Sequence, residues 1–552
     1  MNAISTLYAG VEMRLLYVTS EVFPLAKTGG LADISRSLPI ALKRLEVDVR
    51  LLIPAYPSAL AHIEKLRPLA KLKPMLGIDE ALLLTGILPG SNVPVLLIDA
   101  PSLFQRSGGL YQSRNGVEWP DNPLRFAYLS HVAAQIAMGR TELGWRPDVV
   151  HANDWHTGIL PLLLSTEEAP RPGTVFTAHN MAFQGNFPPD ILPTIGICED
   201  HFHNGDIEFY GQASFLKAGL HYADRVTTVS PTYAREILTP EFGYGLDGVL
   251  RGRGSDFSGI LNGIDEALWN PETDPHLPRT FGARSIAGKR VCKAALQEEF
   301  GLPISPNTPL IGFVSRTTHQ KMADAILTAL PWLSAQGAQF ILLGQGETVL
   351  EAEFIKAQAE YENCVSVHIG YDEALAHRLQ AGSDIILAPA RFEPCGMTQL
   401  YALRYGALPV VRRTGGLADT VVDADAHSIA DRTATGFIFD EASPDGLVSA
   451  IERALAAYRQ PLTWRRLQLQ AMAQNFSCDA SATQYMSLYR EIAGAAPVLR
   501  EIKGGPSEEA IRLAKQLLDA GSSPARASTS DRPFPHPQED APDDRPALNQ
   551  TH

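Results

Sequence analysis

Glu393 stands between Phe392 and Pro394 in Arg391-Phe-Glu-Pro-Cys-Gly396, just after the apolar run Asp384-Ile-Ile-Leu-Ala388. A carboxylate in a loop at a strand end can grip sugar hydroxyls or take part in catalysis; the plainer alternative is a solvated loop glutamate. Arg316 and Lys321 lie five apart after Leu310-Ile-Gly-Phe-Val-Ser315. Both reach one diphosphate if that loop folds back, and otherwise they are surface cations. His179-Asn180 closes Thr174-Val-Phe-Thr-Ala178, and Asp154 sits among His151, Asn153 and His156. For these two groups a buried structural role and a functional one are equally open.

Phosphate binding has a further signal. Thr-Gly-Gly-Leu-Ala-Asp occurs at Thr28 to Asp33 and again at Thr414 to Asp419, each time after an apolar stretch ending in cations: Lys27 in the first case, Arg412 and Arg413 in the second. Glycine lets backbone approach a ligand closely, and a helix opening at Leu31 or Leu417 presents unpaired N–H groups to an anion. Two ordinary turns with shared chemistry are the alternative.

Positioning such residues takes strands with a common polarity. Short apolar runs alternate with helical stretches throughout, which predicts an α/β protein with parallel sheets. Ligands of such sheets bind beyond the carboxyl ends of the strands, where the polar residues above fall. The Pro-rich change of character after Ser255 predicts two Rossmann-like domains facing a central cleft, 13–260 and 261–495. Pro506 to Gly521 reads as an isolated capped helix and 522–552 as a disordered tail rich in Pro, Ser, Asp and Arg. Met13 is an alternative start.

Composition excludes several classes. With 45% hydrophobic and 20% charged residues, the 552-residue chain is typical of globular proteins. A net charge of −14 disfavours nucleic acid as a partner. Five scattered cysteines and no long apolar run predict a cytoplasmic protein without membrane association. Gly282 to Arg290 has the wrong spacing for a P-loop, and Gly344-Gln-Gly346 lacks the third glycine of a dinucleotide fingerprint, which disfavours an NAD enzyme. Cys198, His201 and His203 lack a fourth ligand for zinc. Asp423-Ala-Asp425 reads as a solvated turn rather than a metal-binding pair.

Taken together, Lys27 to Leu31, His151 to His156, Phe176 to Asn180, Leu261-Asn-Gly-Ile-Asp-Glu266, Arg391 to Gly396 and Arg412 to Asp419 resemble bacterial glycogen synthases and the related starch synthases, from about Arg14 to about Glu491. The resemblance implies a GT-B fold and retaining transfer of glucose from ADP-glucose to the nonreducing end of an α-1,4-glucan such as glycogen, with no metal or organic cofactor. It implies that Lys27, Arg316 and Lys321 contact the diphosphate, and that Glu393 and His179 hold the glucosyl hydroxyls. Asp154, Asn180 and Asn262 would line the donor and acceptor region, Tyr371 would lie near the adenine, and Cys395, Gly396 and Thr398 would cradle sugar and phosphate. Gly29, Gly30 and Asp33 of the first repeat and Gly415 of the second complete the expected set. The family's second carboxylate position is Tyr401, as is usual in this branch. Oligomeric state stays open.

One segment departs from the family pattern. Where the family reads Arg-Leu-Thr-x-Gln-Lys-Gly-Leu, this chain has Arg316-Thr-Thr-His-Gln-Lys-Met-Ala323. A side chain at Met322 is expected to crowd the phosphate-binding lysine and to reduce or alter turnover. Two other readings follow: a glucan-binding homologue without turnover, and a GT-B enzyme with another acceptor.

Overall fold

A computed structural model describes residues 13–493. The expected helix over 506–521 and the tail over 522–552 lie outside the described residues. Two parallel-stranded sheets carry the structure. The first has nine strands in the order Phe257–Gly259, Arg225–Thr228, Gly173–Ala178, Val149–Asn153, Arg14–Val18, Asp48–Pro54, Pro94–Asp99, Leu82–Ile87 and Glu64–Lys71. Only the last two join antiparallel. The second has six, in the order Val365–Ile369, Gln339–Gly344, Leu310–Val314, Ile385–Ala388, Leu408–Arg412 and Phe437–Phe439, all parallel.

Helices cover both faces, so the central strands are buried on both sides and read as continuous apolar runs rather than alternating ones. Leu15, Leu16, Tyr17 and Val18 are all fully buried, as are Phe340, Ile341 and Leu342 in the other sheet. Because neighbouring strands are parallel, their carboxyl ends lie at one edge, and each sheet delivers its polar loops to the space between the two units.

The last helix, Cys478–Ile492, departs from the expected partition at 495. Its face of Cys478, Ala482, Tyr485, Met486, Tyr489 and Ile492 is buried in the core of the first unit. Tyr489 and His151 share a 2.8 Å hydrogen bond, and Thr177 meets the other ring nitrogen at 2.7 Å. The chain therefore returns to the first unit after building the second, because this apolar stripe covers the first sheet and helix Gly30–Arg44. Asp423 also differs from a solvated turn, whereas Asp425 is exposed. Asp423 pairs with Arg453 at 3.0 Å and accepts from the Ile438 amide, and Asp425 caps helix Ala426–Ala430.

Candidate active site

The first repeat follows strand Arg14–Val18, and helix Gly30–Arg44 begins at its second glycine. The amides of Thr28 and Gly29, which precede the helix, are already engaged within the first unit. Glu21 accepts from Thr28 N at 2.6 Å, Thr28 Oγ1 at 2.5 Å and Gly29 N at 3.3 Å, and Tyr111 donates to the same carboxylate at 2.5 Å. Burial raises the Glu21 carboxyl above its ordinary range, with these donors acting against the shift. Lys27 Nζ reaches Asp33 at 2.8 Å and, on the opposite unit, Glu373 at 3.1 Å. The same ammonium lies 5.4 Å from the centre of the Tyr371 ring. Burial opposes the charge on Lys27, but Asp33 and Glu373 outweigh it and hold the ammonium above its usual value. Burial lifts Asp33 to about 6, with Lys27 acting the other way.

The neighbouring strand ends bring His179 and Asp154 together. His179 Nε2 lies 3.1 Å from Asn153 Oδ1, and burial pushes the imidazole down to about 3, so it is neutral near pH 7. Asp154 has the left-handed backbone angle φ +61° and accepts from Trp155 N at 3.0 Å. Burial raises it to about 7, against the amides of Trp155 and His179. Asn180 Oδ1 accepts from Ala182 N at 3.0 Å.

On the second unit, residues 316–321 run through a short turn at His319–Lys321. Lys321 Nζ is ion-paired with Glu393 Oε2, and Arg316 contacts Gln320 at 3.3 Å near the surface. Glu393 is fixed from behind by the second repeat: Gly416 N donates to Glu393 O at 3.2 Å. A Cβ at Gly415, where φ is +45°, would stand 1.7 Å from that carbonyl, which only glycine permits. Cys395 is buried, and burial raises its thiol to about 12, against a backbone contact from Asn262. Gly396 has φ +73°, Thr398 Oγ1 bonds Val314 O at 3.3 Å, and Met397 lies 3.5 Å from the position a Cβ would take at Gly30.

Sequence reasoning expected Arg412 and Arg413 to serve the second glycine loop. They do not: Arg412 donates to the carbonyls of Asp440 and Arg391, and Arg413 pairs with Asp440 at 2.7 Å. The group that meets this loop is Glu236 of the first unit, which accepts from Gly415 N at 2.9 Å and Thr414 Oγ1 at 3.1 Å. His201 is engaged by Tyr222 at 2.7 Å, and among the described residues no cluster could hold a metal ion.

The Starch synthase catalytic domain matches 14–252 and Glycosyl transferases group 1 matches 296–466. A glycogen synthase of Thioalkalivibrio sulfidiphilus is 50% identical over 87% of this chain and the whole of that protein. This chain belongs to the glycogen and starch synthase family. It is a glycosyltransferase. A glycogen synthase of Burkholderia thailandensis is also 50% identical, over 86% of this chain and 90% of its own. The catalytic domain of starch synthase IV from Arabidopsis thaliana, solved bound to ADP and acarbose, superposes with a TM-score of 0.81 at 33% identity, covering 88% of this chain and all of that one. The GT-B architecture that the resemblance implies is that of this family.

Within this synthase-family chain, the expected crowding by Met322 is corrected. Its side chain is fully buried in the core of the second unit, away from Lys321. What replaces the family's glycine is a methionine held at φ +53° and ψ +32°, the cap of helix Ala323–Ala335. The cost of this substitution is backbone strain, repaid by core packing, rather than obstruction of the cleft.

Proposed function

We propose that this glycosyltransferase moves glucose from ADP-glucose to the nonreducing 4-OH of an α-1,4-glucan, glycogen in the cell, with retention and release of ADP. The observation that most supports this reading is the Lys321–Glu393 pair, set against the second glycine loop on the unit that also carries Glu373, the partner of Lys27 across the cleft. The names of its relatives, and the ADP and acarbose held by the starch synthase of the same fold, agree with it.

Breaking the bond from the anomeric carbon to the β-phosphate leaves positive charge on the sugar and negative charge on ADP. Lys27, Arg316 and Lys321 would stabilise that negative charge, an interaction that strengthens as the bond breaks. Lys321 then exchanges Glu393 for the diphosphate, and Glu393 turns to the glucosyl hydroxyls. A neutral His179 accepts or donates a hydrogen bond to the sugar without adding a cation beside the developing positive charge. Retention without a protein nucleophile proceeds by front-face attack: the acceptor O4 bonds to the anomeric carbon as the phosphate leaves, and the β-phosphate takes the O4 proton. The five unpaired cysteines suit the reducing cytoplasm, where we place the reaction.

Competing ADP-glucose against UDP-glucose with glycogen as acceptor tests the donor. Preferential use of ADP-glucose with growth of α-1,4 chains is expected; a preference for UDP-glucose, or a trapped glucosyl ester on the protein, would overturn the corresponding part.

A further inference from the structure

Several contacts join the units, Arg36 with Asp265 at 3.1 Å and the ring of Tyr244 with that of Phe392 among them, and two others differ in kind. At one, Lys27 touches Glu373 beside Tyr371, whose ring is 60% exposed. At the other, helix Pro231–Glu236 of the first unit lies along helix Gly415–Thr420, which carries the second repeat. Ser230 Oγ donates to Pro394 O at 2.7 Å. Thr232 N and Oγ1 donate to the two oxygens of Asp419 at 2.8 and 2.6 Å. Glu236 Oε1 accepts from Gly415 N and Thr414 Oγ1. Ser230 and Thr414 are fully buried, and so is Glu236 Oε2, which has no partner among the described residues.

These contacts differ in what their rupture would leave behind. Lys27 retains Asp33 if Glu373 departs, so its charge is not left unpaired. Parting the two helices would strand buried hydroxyl, amide and carboxylate groups at once. The buried contact is therefore the axis and the Lys27 contact the moving edge. Glu236 also reaches the chemistry through backbone alone. It fixes Gly415; the next amide, Gly416 N, is bonded to Glu393 O; and the Glu393 side chain holds Lys321. A buried carboxylate oxygen left unpaired is costly for stability alone, which points to a role in holding this loop.

We propose that the helix pair Pro231–Glu236 and Gly415–Thr420 is the pivot about which the two units close, and that Glu236 is a positioning residue that sets Glu393 through the second glycine loop. The second repeat thus works as a joint, while the first faces the cleft. This rests on the proposed transferase reading only in its kinetic consequence.

Hydrogen exchange of the ligand-free and ADP-saturated protein tests the pivot without reference to turnover. Amides of 230–236 and 414–420 are expected to exchange slowly in both states, while those of 27–31 and 371–376 slow on adding ADP. Fast exchange at 414–420 in the free protein would overturn the pivot. The positioning role is tested by Glu236→Ala and Glu236→Gln. Alanine is expected to lower kcat about a hundredfold, as an ångström-scale displacement of a reacting group does, with KM for glycogen unchanged. Glutamine keeps the Oε1 acceptor and places an amide nitrogen at the unpaired position, so it restores most of kcat. Equal kcat in wild type and Glu236→Ala, or glutamine no better than alanine, would overturn it.

Discussion

Lys27 and Glu373 meet across the cleft, Nζ to Oε2 at 3.1 Å, although 346 positions separate them in sequence. The ammonium expected to serve the donor diphosphate is thus already shared between Asp33 of its own loop and a carboxylate of the opposite unit. If Lys27 serves the donor diphosphate as proposed, Glu373 competes with that diphosphate for the ammonium. Removing its charge in Glu373→Gln is expected to lower the ADP-glucose KM several-fold with kcat little changed, read from initial rates at saturating glycogen. Lys27→Ala should instead lower kcat/KM by roughly a hundred- to a thousandfold, the scale for removing one donor to developing negative charge. A raised donor KM in Glu373→Gln would show that the contact assists binding.

Met322 gives a prediction that separates stability from rate. Glycine at this position relieves a left-handed backbone that costs about 1 kcal/mol or more for other residues. It also removes a fully buried methionine side chain, and large-to-small changes in cores cost about 2–5 kcal/mol. Met322→Gly is therefore expected to unfold at lower urea concentration than wild type while kcat stays the same. A gain in kcat would revive the idea that the side chain hinders the phosphate loop.

Much of this arrangement was legible in the sequence because strand ends are. A buried parallel strand has a continuous apolar signature, so Thr174 to Ala178 announces that His179 and Asn180 lie at a sheet edge. The loop from Arg316 to Lys321 was readable for the same reason. Glu21, Glu236, Glu373 and Asp419 were not, since nothing local distinguishes a carboxylate that will meet a loop amide from one that will meet water. Glu236 and Gly415 are 179 positions apart. The destination of helix Cys478–Ile492 was hidden likewise: its apolar stripe predicts burial but does not say against which sheet.

Asp154 supplies a pH dependence. Burial raises it to about 7, against about 3.9 in an unfolded chain. Between those values the folded protein binds a proton that the unfolded chain has released, so this group's contribution to stability falls as pH rises from about 4 to 7, by at most about 1.4 kcal/mol per pH unit. Asp33, raised to about 6, acts in the same direction. His179, lowered to about 3, acts in the opposite one, its contribution rising between about 3 and 6.5 as the unfolded histidine loses its proton. Asp154→Asn removes only the first. Urea unfolding should show the variant gaining on wild type between pH 5 and pH 7.5; a difference that is the same at both would mean an unshifted carboxyl.

Glycogen-dependent release of ADP from ADP-glucose, compared between wild type and Lys321→Ala, tests the transferase activity most directly. Release that requires glycogen, lengthens its α-1,4 chains and drops at least a hundredfold in the variant is the predicted result. Tight binding of glycogen with no ADP release from the wild-type protein, or release undiminished in Lys321→Ala, would contradict it.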